Sequence, residues 1–185
     1  PVLPDLAENI IFGNSLIEPH DKTKGKENKI NPYDFGKAKF DVIVGNPPYM
    51  STEDMKNITP LELPIYKKQY DSAYKQFDKY FLFIERSIQL LKSDGYLGYI
   101  VPSKFTKVGA AKNLREELSG KQLINQIISF GANQVFKGKT TYTCLLIIQK
   151  KKQNSTKYYE VKSYSNWIVR DYKVEDYDTI NSNSL

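Results

Sequence analysis

Along the chain, apolar positions fall into short runs separated by polar, Pro- and Gly-containing stretches. Glu8 to Phe12 reads as a short strand, and Gly13-Asn14 as the turn that ends it. Residues 18 to 39 carry charges together with Pro19, Gly25 and Pro32, the make-up of a surface excursion. Phe40-Asp41-Val42-Ile43-Val44-Gly45 is a β-branched run bounded by turn residues, which predicts a strand covered on both faces. Residues 50 to 74 show little periodicity and predict a long loop, and loops of that length usually carry function. Phe77, Tyr80, Phe81, Ile84, Ile88 and Leu91 then recur at helical spacing. Lys92-Ser93-Asp94-Gly95 supplies the stop, with a cation in the last turn and Gly beyond it.

The second half continues the alternation. Tyr96 to Val101 predicts a strand ended by Pro102, Val108 to Leu118 a helix closed by Ser119-Gly120, and Leu123 to Phe130 another strand. Thr140 to Gln149 predicts the returning partner of that strand across a Gly-containing loop, and Tyr158 to Tyr164 a further edge strand. Strands alternating with helices and closing in a hairpin define an α/β fold with a mixed sheet. The division expected is a catalytic part over residues 1–152, followed by an edge strand and linker over 153–185, where the chain turns acidic and polar. No internal repeat is visible.

Composition narrows the function. The chain has 185 residues, 40% hydrophobic and 26% charged, enough for one domain with a substantial core. A net charge of +6 and a pI near 9.1 suit a polyanionic partner, and equally a lysine-rich solvated surface. One cysteine, Cys144, excludes an internal disulfide and a cysteine cluster, and one histidine, His20, leaves no multi-histidine metal site or His-dependent triad. No apolar stretch reaches the length of a membrane span, and an intracellular, cytoplasmic setting is the default expectation. The opening Pro1-Val2-Leu3-Pro4, without Met, reads as entry into the middle of a longer protein.

The chemistry concentrates in Asn46-Pro47-Pro48-Tyr49, directly after the apolar run and a Gly. A chance Asn-Pro-Pro-aromatic match is expected on the order of a few times per thousand chains of this size. In an open parallel sheet, ligands bind beyond the carboxyl ends of strands, where this motif falls. Each proline fixes its own φ and restricts its predecessor, so Asn46 and Pro47 are held in one extended shape with their carbonyls aimed. Such rigidity suits methylation of an exocyclic amine, whose lone pair is delocalised into its ring. The Asn46 side-chain oxygen and the Pro47 carbonyl, both accepting from the amine, favour its pyramidal, nucleophilic form and stabilise the developing positive charge. A base within a duplex must be flipped out to reach them. Tyr49 is placed to stack on it, and Phe136, in the loop between two strands, to contact it from elsewhere or to serve as a core aromatic.

These residues resemble the amino-methyltransferases of the gamma arrangement, particularly the methylase parts of type IIG restriction enzymes, through most of residues 7 to 150. Asn9 to Leu16 resembles the family's strand and turn, and implies that Asn14 contacts the adenine of S-adenosylmethionine. Tyr80 to Glu85, with Leu90-Leu91 and Gly95, resembles the helix bordering the cofactor; Phe83 borders the cofactor or serves the core. Ile100 to Phe105 matches the next strand end. Phe130 to Ile148 resembles the closing hairpin and raises Phe136 to a base contact. The resemblance implies a truncated Rossmann-like S-adenosylmethionine-dependent fold whose Gly-rich cofactor loop and target recognition domain fall outside residues 1–185. The strand at 40–44 then presents an apolar edge, so the fragment is expected to pair with a second copy or to refold its first thirty residues.

Three functions follow. The first is adenine methylation of double-stranded DNA in a bacterial or archaeal restriction-modification system, with Asn46, Pro47 and Tyr49 catalytic. The second is methylation of protein glutamine or RNA, which poses the same nitrogen problem. The third is an inactive DNA-binding fragment, whose loop lysines, among them Lys67, Lys104, Lys107 and Lys137, make salt-dependent phosphate contacts.

Overall fold

The computed structural model describes residues 10, 12–17, 20–21, 26–27, 38–136, 141–168 and 177–181. The chain divides into two compact units, residues 1–38 and 39–185. In the first, Asn14 closes a tight turn: its Oδ1 accepts the Leu16 N–H at 3.0 Å and its carbonyl accepts the Ile17 N–H at 3.2 Å. Asparagine suits this place because its short side chain bonds the backbone two residues on. Two-residue strands His20–Asp21 (β1) and Lys26–Glu27 (β2) pair antiparallel within the expected surface excursion. The strand expected over Glu8–Phe12 lies largely outside the described residues; Ile10 and Phe12, which are described, are exposed and not in a strand.

The second unit is built on a six-stranded mixed sheet. Its strands are Phe40–Gly45 (β3), Leu91–Pro102 (β4), Ile124–Ser129 (β5), Thr143–Gln149 (β6), Ser155–Glu160 (β7) and Asp178–Asn181 (β8), in the order β3-β4-β6-β5-β7-β8. β3 runs parallel to β4 and β5 to β7, while β6 is antiparallel to both its neighbours and β8 to β7. The β5–β6 pair is the expected closing hairpin. The strand expected at 158–164 is instead 155–160, and it is no edge, because β8 pairs along its outer side.

Helices Thr52–Ile58 (α1), Leu63–Gln69 (α2), Lys79–Leu90 (α3), Lys112–Gly120 (α4) and Tyr164–Ile168 (α5) complete the unit. α3 follows the predicted stripe, with Tyr80, Phe81, Ile84 and Ile88 buried. It covers the face of β4 on which Leu97, Tyr99 and Val101 are buried, and Tyr99 and Ser87 share a 2.7 Å hydroxyl hydrogen bond across that contact. On the opposite face, Ile128, Phe130 and Val161 form a second cluster, flanked by Tyr159, Tyr164 and Trp167.

The expected helix stop is realised as a bulge. Phe40 pairs with Leu91 and Val42 with Tyr96, so residues 92–95 loop out of β4. Asp94 takes a left-handed φ of 63°. A Cβ at Gly95 would meet the Asp41 carbonyl at 3.0 Å and that of Phe40 at 3.1 Å, so backbone proximity requires glycine there.

Two further expectations need correction. β3 is not covered on both faces: it is the edge of the sheet, and Val42 and Val44 are 59% and 75% exposed. The run was apolar enough for a buried strand, but among the described residues β3 has a hydrogen-bonded neighbour on one side only. The long loop after Tyr49 is also more ordered than its pattern suggested, since it holds α1 and α2. Ser51 opens α1 with a capping box: its Oγ accepts the Asp54 N–H at 3.1 Å, and Asp54 Oδ2 accepts the Ser51 N–H at 3.1 Å. The ends of this arm are clamped together. Lys79 N–H donates to the Met50 carbonyl at 2.8 Å and the Thr52 hydroxyl to that of Phe77 at 2.6 Å.

Candidate functional site

Asn46 to Tyr49 leave the carboxyl end of β3 and lead into the clamped arm. Gly45 precedes them because the Tyr99 ring lies beneath: a Cβ there would sit 3.2 Å from its Cε1. Asn46 is exposed and Pro47 buried. Among the described residues, neither the Asn46 side chain nor the Pro47 carbonyl is engaged by a hydrogen bond. Both acceptors are therefore left without a donor among the described residues.

Tyr49 is fastened at both ends. Its hydroxyl donates to the Ile100 carbonyl at 2.9 Å, and its ring meets Tyr80 edge-on at 6.1 Å. Tyr80 in turn donates to the Pro102 carbonyl at 3.3 Å and packs on Phe81 at 4.6 Å. Burial pushes the Tyr49 hydroxyl up to about 12, with the nearby Cys144 thiol adding to the shift, and burial pushes Tyr80 upward too. Both hydroxyls therefore remain protonated donors.

Tyr49 forms part of the wall of a cavity of about 580 Å³, a size usual for small-molecule sites. Pro102 and Tyr142 supply further apolar surface; Ser51, Asp54 and Asp78 line the side formed by the arm. The 3-10 turn Ser103–Thr106, at the end of β4, contributes its hydroxyls and Lys104, with Lys107 next to it. Both carboxylates are already engaged. Hydrogen bonds from Ser51 hold the Asp54 carboxyl below the usual range, and Asp78 pairs with Lys104 at 2.9 Å. Neither is poised as a general base.

Of the expected site residues, Tyr49 lines the cavity, whereas Asn46 and Pro47, three and two residues before it in the chain, do not. Phe136 is half-buried at the end of its described loop and does not line the cavity. Phe83 is half-buried on α3 and does not line it either, and Asn14 lies in the other unit with its side-chain oxygen used by its own turn. Sequence reasoning passed over Tyr142 and the Ser51–Asp54 capping box. The box was legible as Ser-x-x-Asp. Tyr142 carried no signal beyond its place just before a strand.

Among the described residues, no cluster of His, Cys, Asp and Glu would hold a metal ion, and no helix is long and apolar enough to cross a membrane.

The family model of the Eco57I restriction-modification methylase matches residues 3–136. The type II restriction enzyme and methyltransferase RM.Eco57I of Escherichia coli is 56% identical over 186 aligned residues, covering 100% of this chain and 19% of its own length. The chain thus spans about a fifth of that relative. Among solved structures, a Listeria monocytogenes protein assigned to the class I S-adenosylmethionine-dependent methyltransferases superposes with a TM-score of 0.53 at 18% identity, over 72% of this chain and 41% of its own. The DrdV–DNA complex gives a TM-score of 0.56 at 19% identity, over 76% of this chain and 17% of its own. The fold is accordingly the Rossmann-like α/β fold of class I methyltransferases, as the strand–helix alternation implied.

Proposed function

Because this chain belongs to the Eco57I restriction-modification methylase family, we propose that it is the acceptor-binding part of a DNA methyltransferase that methylates the exocyclic amino group of adenine within a restriction-modification system. The observation that supports this most is the pair of unengaged acceptors, Asn46 Oδ1 and the Pro47 carbonyl, in the segment that leads to Tyr49 of the cavity wall. DNA as the substrate agrees with the net charge of +6 and with the DNA-bound state of DrdV, which shares the fold. Such an enzyme works in the cytoplasm of a bacterium or archaeon, where its DNA is.

In this reading Asn46 Oδ1 and the Pro47 carbonyl each accept one hydrogen of the adenine amino group. That draws the nitrogen lone pair out of conjugation and stabilises the charge that grows on nitrogen. Tyr49 stacks on the extruded ring, held by its Ile100 and Tyr80 contacts. With Asp54 and Asp78 engaged, the spare proton leaves through the cavity mouth to water. S-adenosylmethionine, when bound, supplies the electrophilic methyl group. Phe83 and Asn14 are the proposed contacts to it, and Phe136 an additional contact to the base. The described residues fit the acceptor side; they do not by themselves enclose a sulfonium donor. Self-association of the chain through β3 is a further part of the proposal.

The test uses the enzyme that carries this chain, labelled S-adenosylmethionine and unmethylated duplex DNA. Asn46→Ala is expected to reduce transfer to adenine about 10²–10³-fold, the usual effect of removing one transition-state hydrogen bond. Transfer to RNA or to protein glutamine but not to DNA would overturn the substrate and keep the chemistry. Undiminished DNA methylation by the variant would overturn the role of Asn46.

A further inference from the structure

The turn that joins α1 to α2 divides its side chains sharply. Behind it, Met55, Leu63 and Tyr66 are buried. In front, Ile58 and Leu61 are 65% and 76% exposed, and Pro60 between them is exposed as well. A single exposed aliphatic side chain is ordinary on a protein surface. Two of them flanking a proline on one short turn make an apolar point.

The turn is held in shape from beneath. The Thr59 N–H donates to the Met55 carbonyl at 2.9 Å, and the Glu62 N–H to the Thr59 carbonyl at 3.0 Å. Glu62 Oε2 accepts from Tyr66 and Lys79, and the Lys79 ammonium also lies 5.3 Å from the centre of the Tyr66 ring. Ile58 and Leu61 are therefore displayed on a preformed backbone, so contact with a partner costs little ordering of the chain.

Charge decides which partner fits. Between residues 56 and 68 the charged side chains are Lys56, Glu62, Lys67 and Lys68, and Glu62 is neutralised by Lys79. Lys56 and Lys67 are exposed and make no ion pair among the described residues. An apolar point flanked by free cations suits a polyanion with an apolar interior, and duplex DNA is one, with phosphates outside and stacked bases within. An apolar groove on a protein would leave the cations unanswered. Ile, Leu and Pro are also among the side chains that proteins wedge between base steps. The place agrees: Ser51 and Asp54, at the start of α1, line the cavity, and the seven residues of α1 carry the chain only ~10 Å from there to Ile58.

We propose that the α1–α2 turn is a wedge that inserts into duplex DNA. Ile58 and Leu61 enter a base step near the target, and Lys56 and Lys67 contact the phosphates beside it. This rests on the reading of DNA as the substrate and gives the arm a task within it. Insertion replaces part of the stacking that is lost when a base leaves the duplex.

The experiment measures binding of the full 185-residue chain, by anisotropy across a salt series, to three labelled duplexes. One is fully paired, one carries an unpaired adenine, and in one a base pair is replaced by two abasic residues. The doubly abasic duplex offers no base at that position, so preference for it over the paired duplex reads insertion alone. Wild type should prefer it roughly 10-fold or more, because the step is already unstacked. Ile58→Ser with Leu61→Ser should abolish that preference, whereas Ile58→Met with Leu61→Met should keep it. Both pairs should melt near wild type, since the two side chains are exposed. Lys56→Gln and Lys67→Gln, made singly, should each weaken all three duplexes and lower the salt slope by about one. No preference for the abasic duplex in wild type, or a preference that survives in the serine pair, would overturn the wedge. Adenine capture, read on the unpaired-adenine duplex, would stand or fall separately. Loss of self-association in the serine pair with DNA binding unchanged would assign the turn to a second copy of the chain and overturn the wedge. Unchanged salt slopes in the glutamine variants would overturn the phosphate contacts. Wild type binding none of the duplexes would sink the DNA reading and the wedge together.

Discussion

Tyr49 shows how much of the site rests on single atoms. Its hydroxyl meets the Ile100 carbonyl at 2.9 Å in surroundings that push its ionisation up to about 12, burial being the main cause and Cys144 a smaller one. A free tyrosine ionises near 10. The folded state therefore favours the protonated form, so the contribution is complete below about pH 10 and is lost as pH rises from there toward about 12. An ultraviolet titration of the chain minus that of Tyr49→Phe should show one step near 12 and none near 10. A step near 10 would mean that the Tyr49 hydroxyl is not buried in solution. The motif was legible because its four residues are consecutive and its rigidity is written in two prolines. Tyr142 was not, since its place depends on Ser103, 39 residues earlier, capturing its carbonyl.

At the scale of elements, the patterns that bury many side chains were readable and those that bury few were not. α3 buries nine residues and was visible from its stripe, whereas α1 and α2 bury two each and left no period to read. What holds them is specific contact. Lys79 Nζ meets Glu62 Oε2 at 3.0 Å, and the same oxygen accepts from the Tyr66 hydroxyl at 2.8 Å, joining α2 to α3. On the returning side of the arm, Glu85 of α3 accepts the Ser72 N–H at 2.8 Å and the Asp71 N–H at 3.2 Å. Burial raises the Glu85 carboxyl above its ordinary range, and the hydrogen bonds from Ser72 and Asp71 only partly oppose it. Glu85→Ala removes both acceptors, and each buried donor left unsatisfied costs about 1–3 kcal/mol. Its melting temperature should fall, and hydrogen exchange at residues 71–72 should accelerate. Glu85→Gln keeps an acceptor and sheds the buried charge, so it should melt near wild type at neutral pH. The charge is disfavoured in the fold, so any difference between wild type and Glu85→Gln should shrink as pH falls below the folded-state value. Equal losses in both variants would show that the carboxylate packs rather than pins.

For the whole molecule, the sheet has two edges of unequal character. β8 is four residues long and begins with Asp178, a short polar edge that resists pairing. β3 is six residues long, and its exposed Val42 and Val44 stand on the same face as Tyr96 of β4, itself 42% exposed. Among the described residues, Asp41 to Gly45 have a hydrogen-bonded neighbour on one side only, and such an edge beside exposed valines forms a template for another strand. The simplest closed arrangement joins β3 of two copies about a twofold axis, because each copy then satisfies the other and no free β3 edge remains. Light scattering of the 185-residue chain should therefore show a concentration-dependent dimer, with amides of residues 40–45 protected in the dimer. Val44→Lys sets two cations near each other across that axis without disturbing the core, and should return the chain to monomer with its melting temperature little changed. A monomer at all concentrations, with residues 40–45 exchanging freely, would sink the edge pairing. In a longer protein that gives β3 a neighbour of its own, the same substitution should lower stability instead, because the lysine would then enter a covered sheet.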